Sequence, residues 1–175
     1  MSTKIEILPY ADVPQTLYDE FETWYTQVFS EEIATVKEWS EPAWMLITYE
    51  DDVWVNIAEL HLRQITVGGQ ALLVGGIGGV FTLPEQRKKG YTSAMMQQAV
   101  DFLCGQGAAF NLLVCRGNRI PLYERMGWRV VTNPAVFSQP TGTTQTQAKM
   151  FTTMIYPCTD QDWFEGEINY NGLPW

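Results

Sequence analysis

The alternation of apolar and polar positions divides the chain into strands and helices in a readable order. Lys4 to Leu8 alternates and predicts a first strand. From Val13 to Phe29, Leu17, Phe21, Trp24, Tyr25 and Phe29 recur at helical spacing, with Pro14 near the start, where its missing N–H costs little. These aromatics either form core or line a substrate pocket. Ser30 to Glu41 predicts a second helix, with Ser30 as its cap and Glu31 and Glu32 at the positive end of its dipole. Trp44 to Tyr49 and Val53 to Val67 predict two strands joined by the acidic turn Glu50-Asp51-Asp52. Gly68-Gly69 then leads into a strand from Ala71 to Thr82, and two glycines between strands signal a tight hairpin.

That strand carries Gly75, Gly76, Gly78 and Gly79 in its interior. Glycine weakens a strand and marks a bulge or a close backbone approach. The chain breaks at Pro84, turns through Arg87-Lys88-Lys89-Gly90, and enters a helix with Met95, Ala99, Val100 and Leu103 on one face. Ala109 to Cys115 is a short apolar run suited to a buried strand. Asn118 to Met126 predicts a short helix that Gly127 closes. Val130 to Pro140 and Lys149 to Ile155 predict further strands around a polar linker of Thr, Gln and Gly, before a turn-rich tail ending on Trp175.

Composition narrows the function. A chain of 175 residues fits one domain spanning 1–175, and 46% hydrophobic content supplies a sizeable core. A formal charge of −9 and a pI near 4.5 argue against nucleic acid as a partner and favour a cationic small molecule. No apolar run is long enough to span a membrane, and the N-terminus lacks the apolar core of a signal peptide, so the expected compartment is cytoplasmic. Cys104, Cys115 and Cys158 are odd in number and widely spaced, which predicts neither a disulfide framework nor a zinc site. His61 is the sole histidine and no G-x-S-x-G elbow is present, so a histidine metal centre or a Ser-His hydrolase is disfavoured.

The most informative stretch is Val80 to Ala94, VFTLPEQRKKGYTSA. Here a strand feeds a basic, glycine-containing turn at a helix start, where unpaired N–H groups and the helix dipole favour an anion. Gly90 lets a phosphate approach the backbone, with Arg87, Lys88 and Lys89 beside it. R-K-K-G-Y-T resembles the R/Q-x-x-G-x-G/A acyl-CoA loop of the GNAT N-acetyltransferases, with Thr92 where that family more often has Gly or Ala. LYERMGW, Leu122 to Trp128, resembles the segment after the fifth strand of the same family. The layout is most similar to the aminoglycoside 2'-N-acetyltransferases and related GNAT proteins, with a P-T-G-x-T stretch at Pro140 to Thr144 and a C-terminal Trp.

The resemblance implies an α/β (α+β) fold: a mixed, mostly antiparallel twisted sheet with a splayed strand pair, flanked by helices. It implies acetyl-CoA as co-substrate without a metal, and transfer of its acetyl group to a primary amine of a small molecule. A homodimer is left open. Val80, Phe81 and Thr82 would hold the pantetheine arm and polarise the thioester carbonyl, Arg87 to Thr92 the diphosphate. Tyr123 falls where the family places a tyrosine beside the leaving sulfur. A phenol of pKa ~10 protonates a thiolate of pKa ~8.5 uphill by roughly 2 kcal/mol, so a hydrogen bond that steadies the thiolate is the expected role. A non-catalytic acyl-CoA-binding or regulatory module, and an acetyltransferase of protein N-termini or lysines, stand as alternatives.

The base is the open question. An amine of pKa ~10.4 is neutral about once in 2,500 at pH 7, a deficit of roughly 4–5 kcal/mol that a base relieves. Several GNAT families carry a glutamate on the splayed strand where this chain has Gly78. A two-residue turn at Gly68-Gly69 sets Glu59 opposite Gly78 and His61 opposite Gly76. Glu59 is therefore the candidate for the missing carboxylate, with His61 as runner-up, and a surface or ion-paired Glu59 as the competing reading. The tail ends Gly172-Leu173-Pro174-Trp175, without the aspartate that the aminoglycoside enzymes carry there. Trp175 remains a candidate for contact with substrate.

Overall fold

The computed structural model describes residues 2–30, 34 and 36–175. Strand β1 (Thr3–Pro9) pairs antiparallel with β2 (Trp44–Glu50), which pairs with the first half of β3 (Val53–Val67). Helix α1 (Gln15–Val28) lies between β1 and β2 in sequence, with Pro14 at its N-cap position. The β3–β4 hairpin turns at Gly68-Gly69 with φ of +58° and +80°, and β4 (Gln70–Thr82) returns along β3. Two consecutive left-handed residues match the twist of the paired strands, which is why glycine stands there.

Helix α2 (Tyr91–Gly105) crosses to β5 (Phe110–Arg116), which runs parallel to β4. Helix α3 (Ile120–Glu124), β6 (Arg129–Val131), β7 (Ala135–Ser138), β8 (Thr144–Thr146), β9 (Phe151–Pro157) and β10 (Ile168–Asn169) complete the described elements. The strands form one sheet in the order β6-β9-β5-β4-β3-β10-β7-β8, with β2 and β1 joined to β3. Only β4–β5 and β7–β10 are parallel among the described pairs, so the sheet is mixed and mostly antiparallel.

Each face of the sheet has its own core. Met95, Met96, Ala99, Val100 and Leu103 are the buried stripe of α2 and pack on Leu46, Ala58, Leu60, Ile77 and Leu113. Leu17 and Phe21 of α1 pack on Met45, Ile47, Ile57 and Phe81. Burying each large apolar side chain stabilises the fold by about 1.5–3 kcal/mol, so these two stripes fix which way the sheet's polar residues point.

The structure departs from the sequence pattern in several places. Of the helix expected from Ser30 to Glu41, Ser30 and Ala34 are helical, Glu31, Glu32, Ile33 and Thr35 lie outside the described residues, and 36–41 is not helical. Its backbone bonds elsewhere: Lys37 N–H donates to the Gln139 side chain (3.0 Å) and Ser40 N–H to the Pro174 carbonyl (2.7 Å). The helix expected from Asn118 to Met126 is a 3-10 turn, Gly117–Arg119, followed by the short α3, with Pro121 in its first turn. The single strand expected over Val130 to Pro140 is two, β6 and β7, interrupted around Pro134, which has no N–H for a ladder. Cys104 and Cys158 form a disulfide, against the expectation of none. The end of α2 meets the segment after β9 there, and the Asn111 amide donates to both sulfurs (3.4 and 3.3 Å). Cys115 alone is free, and buried.

Candidate active site

The basic turn is built from the backbone outward. A 3-10 turn at Pro84–Gln86 lifts the chain off the sheet, Lys88 takes a positive φ of +67°, and Gly90 at +88° caps α2. A Cβ on Gly90 would meet nothing within 4 Å, so the space in front of the helix is open. The helix's backbone bonds begin with Ser93 N and Ala94 N, both to the Gly90 carbonyl, which leaves the Tyr91 and Thr92 N–H groups at the dipole's positive end.

Arg87 and Lys88 border the cavity in front of this turn, together with Gly90, Tyr91 and Thr92. Lys89 is turned aside: its ammonium bonds Gln86 (2.5 Å) and lies 3.6 Å from the Glu50 carboxylate, which also accepts the Tyr91 hydroxyl. Arg87 Nε donates to the Thr82 carbonyl (3.2 Å). The Thr92 hydroxyl meets Thr82 Oγ1 at 3.0 Å, and Asn56 Nδ2 donates to that same Thr82 oxygen (2.6 Å) and to the Phe81 carbonyl (2.9 Å). A buried polar thread thus ties the helix start to β3 and β4, which gives Thr92 a structural use that Gly or Ala could not serve.

Beyond the turn the sheet opens. Parallel pairing of β4 with β5 runs from Val74↔Phe110 to Ile77↔Leu113, and Gly78 to Thr82 then leaves β5. On the other edge the register passes from Glu59↔Gly78 to Ile57↔Phe81, one extra residue on β4, with Gly79 at φ +54°. This is a bulge of the kind that needs a left-handed residue. Leu83 N–H donates back to Val55 (3.0 Å), so by the alternation of the ladder the Thr82 N–H faces the opened edge.

A cavity of about 650 Å³ fills the opening, from the basic turn past Gly78–Thr82 and Val114–Arg116 to Tyr123 and Trp175. Tyr25 and Phe29 of the α1 segment border it, whereas Leu17 and Phe21 are core. Tyr123 is 7% exposed and packs edge-on against Trp128, and burial pushes its phenol well above the ordinary value. The neighbouring Cys115 thiol is pushed up to about 11 by burial, partly offset by Arg119. Both groups stay protonated at neutral pH.

Glu59, His61 and Arg63 share the face of β3 opposite α2, and the predicted pairs Glu59↔Gly78 and His61↔Gly76 are present. A Cβ on Gly78 would stand 3.6 Å from Glu59 Oε2, and one on Gly79 at 2.9 Å, so the carboxylate lies over the two glycines where β4 departs. Burial alone raises its pKa to about 7. His61 is 3% exposed and stacks on the Trp175 indole at 5.6 Å. Burial, with Arg63 nearby, lowers its pKa to about 3. Of the two, Glu59 borders a second cavity but not this one, and His61 borders neither.

Trp175 fills the notch above Gly76, where a Cβ would stand 2.3 Å from its ring, and its indole N–H reaches the Leu112 carbonyl at 3.4 Å. Arg63 holds the tail in place. Its guanidinium donates to the Leu173 carbonyl (2.6 Å) and to Ser40 Oγ (2.5 Å), and lies over the Trp175 ring at 5.2 Å. Sequence reasoning missed Arg63, although its two-residue spacing from His61 and Glu59 puts it on their face. It also missed a second cavity of about 310 Å³, which Glu59 lines with residues of α1 and of 39–42.

A splayed parallel pair whose opening meets a glycine-capped helix start defines an acyl-CoA N-acyltransferase fold. Residues 11–131 match the family described as "Acetyltransferase (GNAT) domain". The chain belongs to the GNAT acetyltransferases, enzymes that take an acyl group from acetyl-CoA. Among solved structures, it is similar to ElaA of Escherichia coli, with a TM-score of 0.64 at 12% identity, covering 89% of this chain and 99% of that one. YhbS of Escherichia coli, a GNAT family N-acetyltransferase in complex with CoA, gives 0.62 at 14% identity over 98% and 94%. An acyl-CoA N-acyltransferase from Pseudomonas aeruginosa gives 0.61 at 14% over 89% and 99%. At such identities the likeness is one of fold. A search of curated proteins finds no match. Among the described residues, no helix is long and apolar enough to cross a membrane, and no cluster of His, Cys, Asp and Glu is arranged to hold a metal ion.

Proposed function

We propose that the protein transfers the acetyl group of acetyl-CoA directly to a primary amine of a small cationic molecule, with Glu59 as the general base. The observation that carries this reading is the Glu59 carboxylate lying over Gly78 and Gly79, at the edge of the opened sheet, with a pKa raised to about 7. A carboxylate near pH 7 is both free to accept a proton and basic enough to keep it. His61 has a pKa lowered to about 3 and stacks on Trp175, so it supports that side chain rather than the chemistry.

Acetyl-CoA supplies the activated acyl carbon, and the residues present fit it. The Tyr91 and Thr92 N–H groups, with Arg87 and Lys88, face an anion at the glycine-opened helix start, while Lys89 braces the turn through Gln86 and Glu50. Val80, Phe81 and Thr82 line the opened edge, where the Thr82 N–H would donate to the thioester oxygen as charge develops on it. The ammonium would give one proton to Glu59, which frees its lone pair, and a second to water once nitrogen has bonded to the acyl carbon. The carbon–sulfur bond then breaks, and the Tyr123 hydroxyl donates a hydrogen bond to the departing thiolate, which takes its proton from water. Trp175 walls the acceptor side.

The test is release of free thiol from acetyl-CoA with a panel of small amines, beside CoA binding by thermal shift. Turnover in the wild type, with an acidic limb near pH 7 that Glu59→Gln removes, is the expected result. CoA binding without thiol release across the panel would mark a non-catalytic acyl-CoA module instead.

A further inference from the structure

The second cavity has a character that simple amine acetylation leaves unused. It is walled by four half-buried aromatic side chains, Tyr10, Tyr18, Tyr25 and Trp39. Glu22, Glu41 and Glu59 also line it, and Lys, Arg and His do not. The Tyr10 and Tyr18 rings meet edge-on at 5.7 Å, and Tyr10 is the main cause of a raised Tyr18 pKa. Glu22, Glu59 and Tyr18 line the same cavity, and the two carboxylates help to raise the Tyr18 phenol's pKa. Tyr25 and Trp39 border both cavities and form the partition between them.

Such a chamber is built for an organic cation. Aromatic faces attract ammonium groups, and the carboxylates supply the opposite charge without a competing cation of the protein's own. The three glutamates are not arranged as a metal cage among the described residues. Glu59 adds a separate observation: its carboxylate is half-buried in the cavity wall and has neither hydrogen bond nor ion pair among the described residues. Unpaired carboxylates in such places call for a positive partner.

We propose that this cavity is a cation subsite and that the acceptor is a small diamine, whose unreacted ammonium rests between the tyrosines and Glu22 and Glu41 while its other amine faces Glu59. The two cavities share Tyr25 and Trp39, so a flexible chain with a charged end in each has only to cross at those rings. Such a substrate also accounts for Glu59 lining the second cavity and not the larger one. This assignment rests on the acetyltransferase reading above, but it can fail separately.

The experiment compares 1,4-diaminobutane with n-butylamine and 4-amino-1-butanol, which match it in reach without the second charge. The expected kcat/KM for the diamine is at least tenfold that of either control, and the Glu22→Gln/Glu41→Gln double variant brings the ratio close to one. Calorimetry on the CoA-bound protein asks the same of binding alone, again with at least a tenfold preference for the diamine; circular dichroism checks that the double variant is folded. Equal kcat/KM for all three amines, or equal affinity, overturns the subsite and leaves the acetyltransferase intact. Selective diamine binding without thiol release upholds the subsite and overturns the proposed reaction.

Discussion

Gly75 and Gly76 lie where β4 is still hydrogen-bonded to β5, and Gly78 and Gly79 lie just beyond the last pair. At the first two, neighbours from opposite faces occupy the missing side chain's space. A Cβ on Gly75 would stand 2.2 Å from Asn111 Oδ1 and 2.8 Å from Leu103, and one on Gly76 2.3 Å from the Trp175 ring. At Gly78 the nearest atoms are 3.2 and 3.6 Å away, one of them the Glu59 carboxylate, and Gly79 carries the positive φ of the bulge. The first pair lets a helix and a tail come close to the sheet. The second pair leaves room for the charged side chain of Glu59. One run of glycines thus divides at the point where the strands part.

The largest effect belongs to the packed pair. Gly75→Ala pushes a methyl into Asn111 and Leu103, which are both fully buried, one on β5 and one on α2. Overpacking of a well-filled core costs about 1–3 kcal/mol and more when two rigid elements must both move. A loss of about 3 kcal/mol in urea denaturation is expected, and a loss under about 1 kcal/mol would show that the sheet and α2 are not held as closely as described.

Next comes Glu59→Gln, which tests the open pair. Loss of a general base lowers kcat/KM by about a hundredfold or more, equivalent to about 2.7 kcal/mol, and removes the acidic limb of the pH profile near 7. The same variant has a stability signature of known sign. With its pKa raised from 4.5 to about 7, Glu59 binds protons in the fold that it has lost in the unfolded chain, so its contribution falls as pH rises through that window. His61, lowered from 6.5 to about 3, does the reverse: stability is lost as pH falls from 6.5 towards 3. In the wild type the two slopes oppose each other between pH 4.5 and 6.5. In Glu59→Gln only the His61 slope remains, and the variant is more stable than wild type at pH 8, by up to about 3 kcal/mol. Chemical denaturation at pH 5, 6.5 and 8 checks the order.

The glycine contrast also shows what a sequence can carry. The β3–β4 register was legible because a two-residue glycine turn fixes pairing locally, and it placed Glu59 and His61 opposite the right glycines. The basic turn was legible because Arg87 to Gly90 and the following helix are contiguous. The bulge at Gly79 was not, since four glycines in five residues give no sign of which one departs from the ladder. Neither was the Cys104–Cys158 bond, whose partners are 54 residues apart and meet only once α2 and β9 are both docked against β5. The second cavity was hidden for the same reason. Segment 36–41 reads as helix on its own, but its backbone is claimed by Gln139 and Pro174, and its wall residue Trp39 follows.

A smaller effect is expected at Tyr123, which lines the cavity that fills the opening. Tyr123→Phe removes the hydroxyl that would meet the thiolate, and the loss of one hydrogen bond to a charged oxygen or sulfur is worth about 1.5 kcal/mol, or about tenfold in kcat. The buried ring and its contact with Trp128 remain, so stability changes little. Because burial holds the phenol far above neutrality, kcat shows no basic limb from Tyr123 below pH 9. A drop in thermal stability that accounts for the lost activity would reduce Tyr123 to a core residue.

The smallest effect on the fold, and the finest test of the contrast, is Gly78→Ala. Its φ is not in the left-handed region, and the new methyl would meet one atom at 3.2 Å and Glu59 Oε2 at ordinary contact distance, 3.6 Å. Stability should therefore fall by less than about 1 kcal/mol, against about 3 for the same substitution three residues earlier. The methyl nevertheless stands beside the carboxylate at the edge of the cavity, where an approaching amine must pass. A severalfold rise in KM with kcat little changed would mean that it obstructs the acceptor, whereas a fall in kcat at constant KM would mean that it displaces the base. If Gly78→Ala is instead as destabilising as Gly75→Ala, the space above Gly78 is packing, and the division of β4 into a closed half and a working half is wrong.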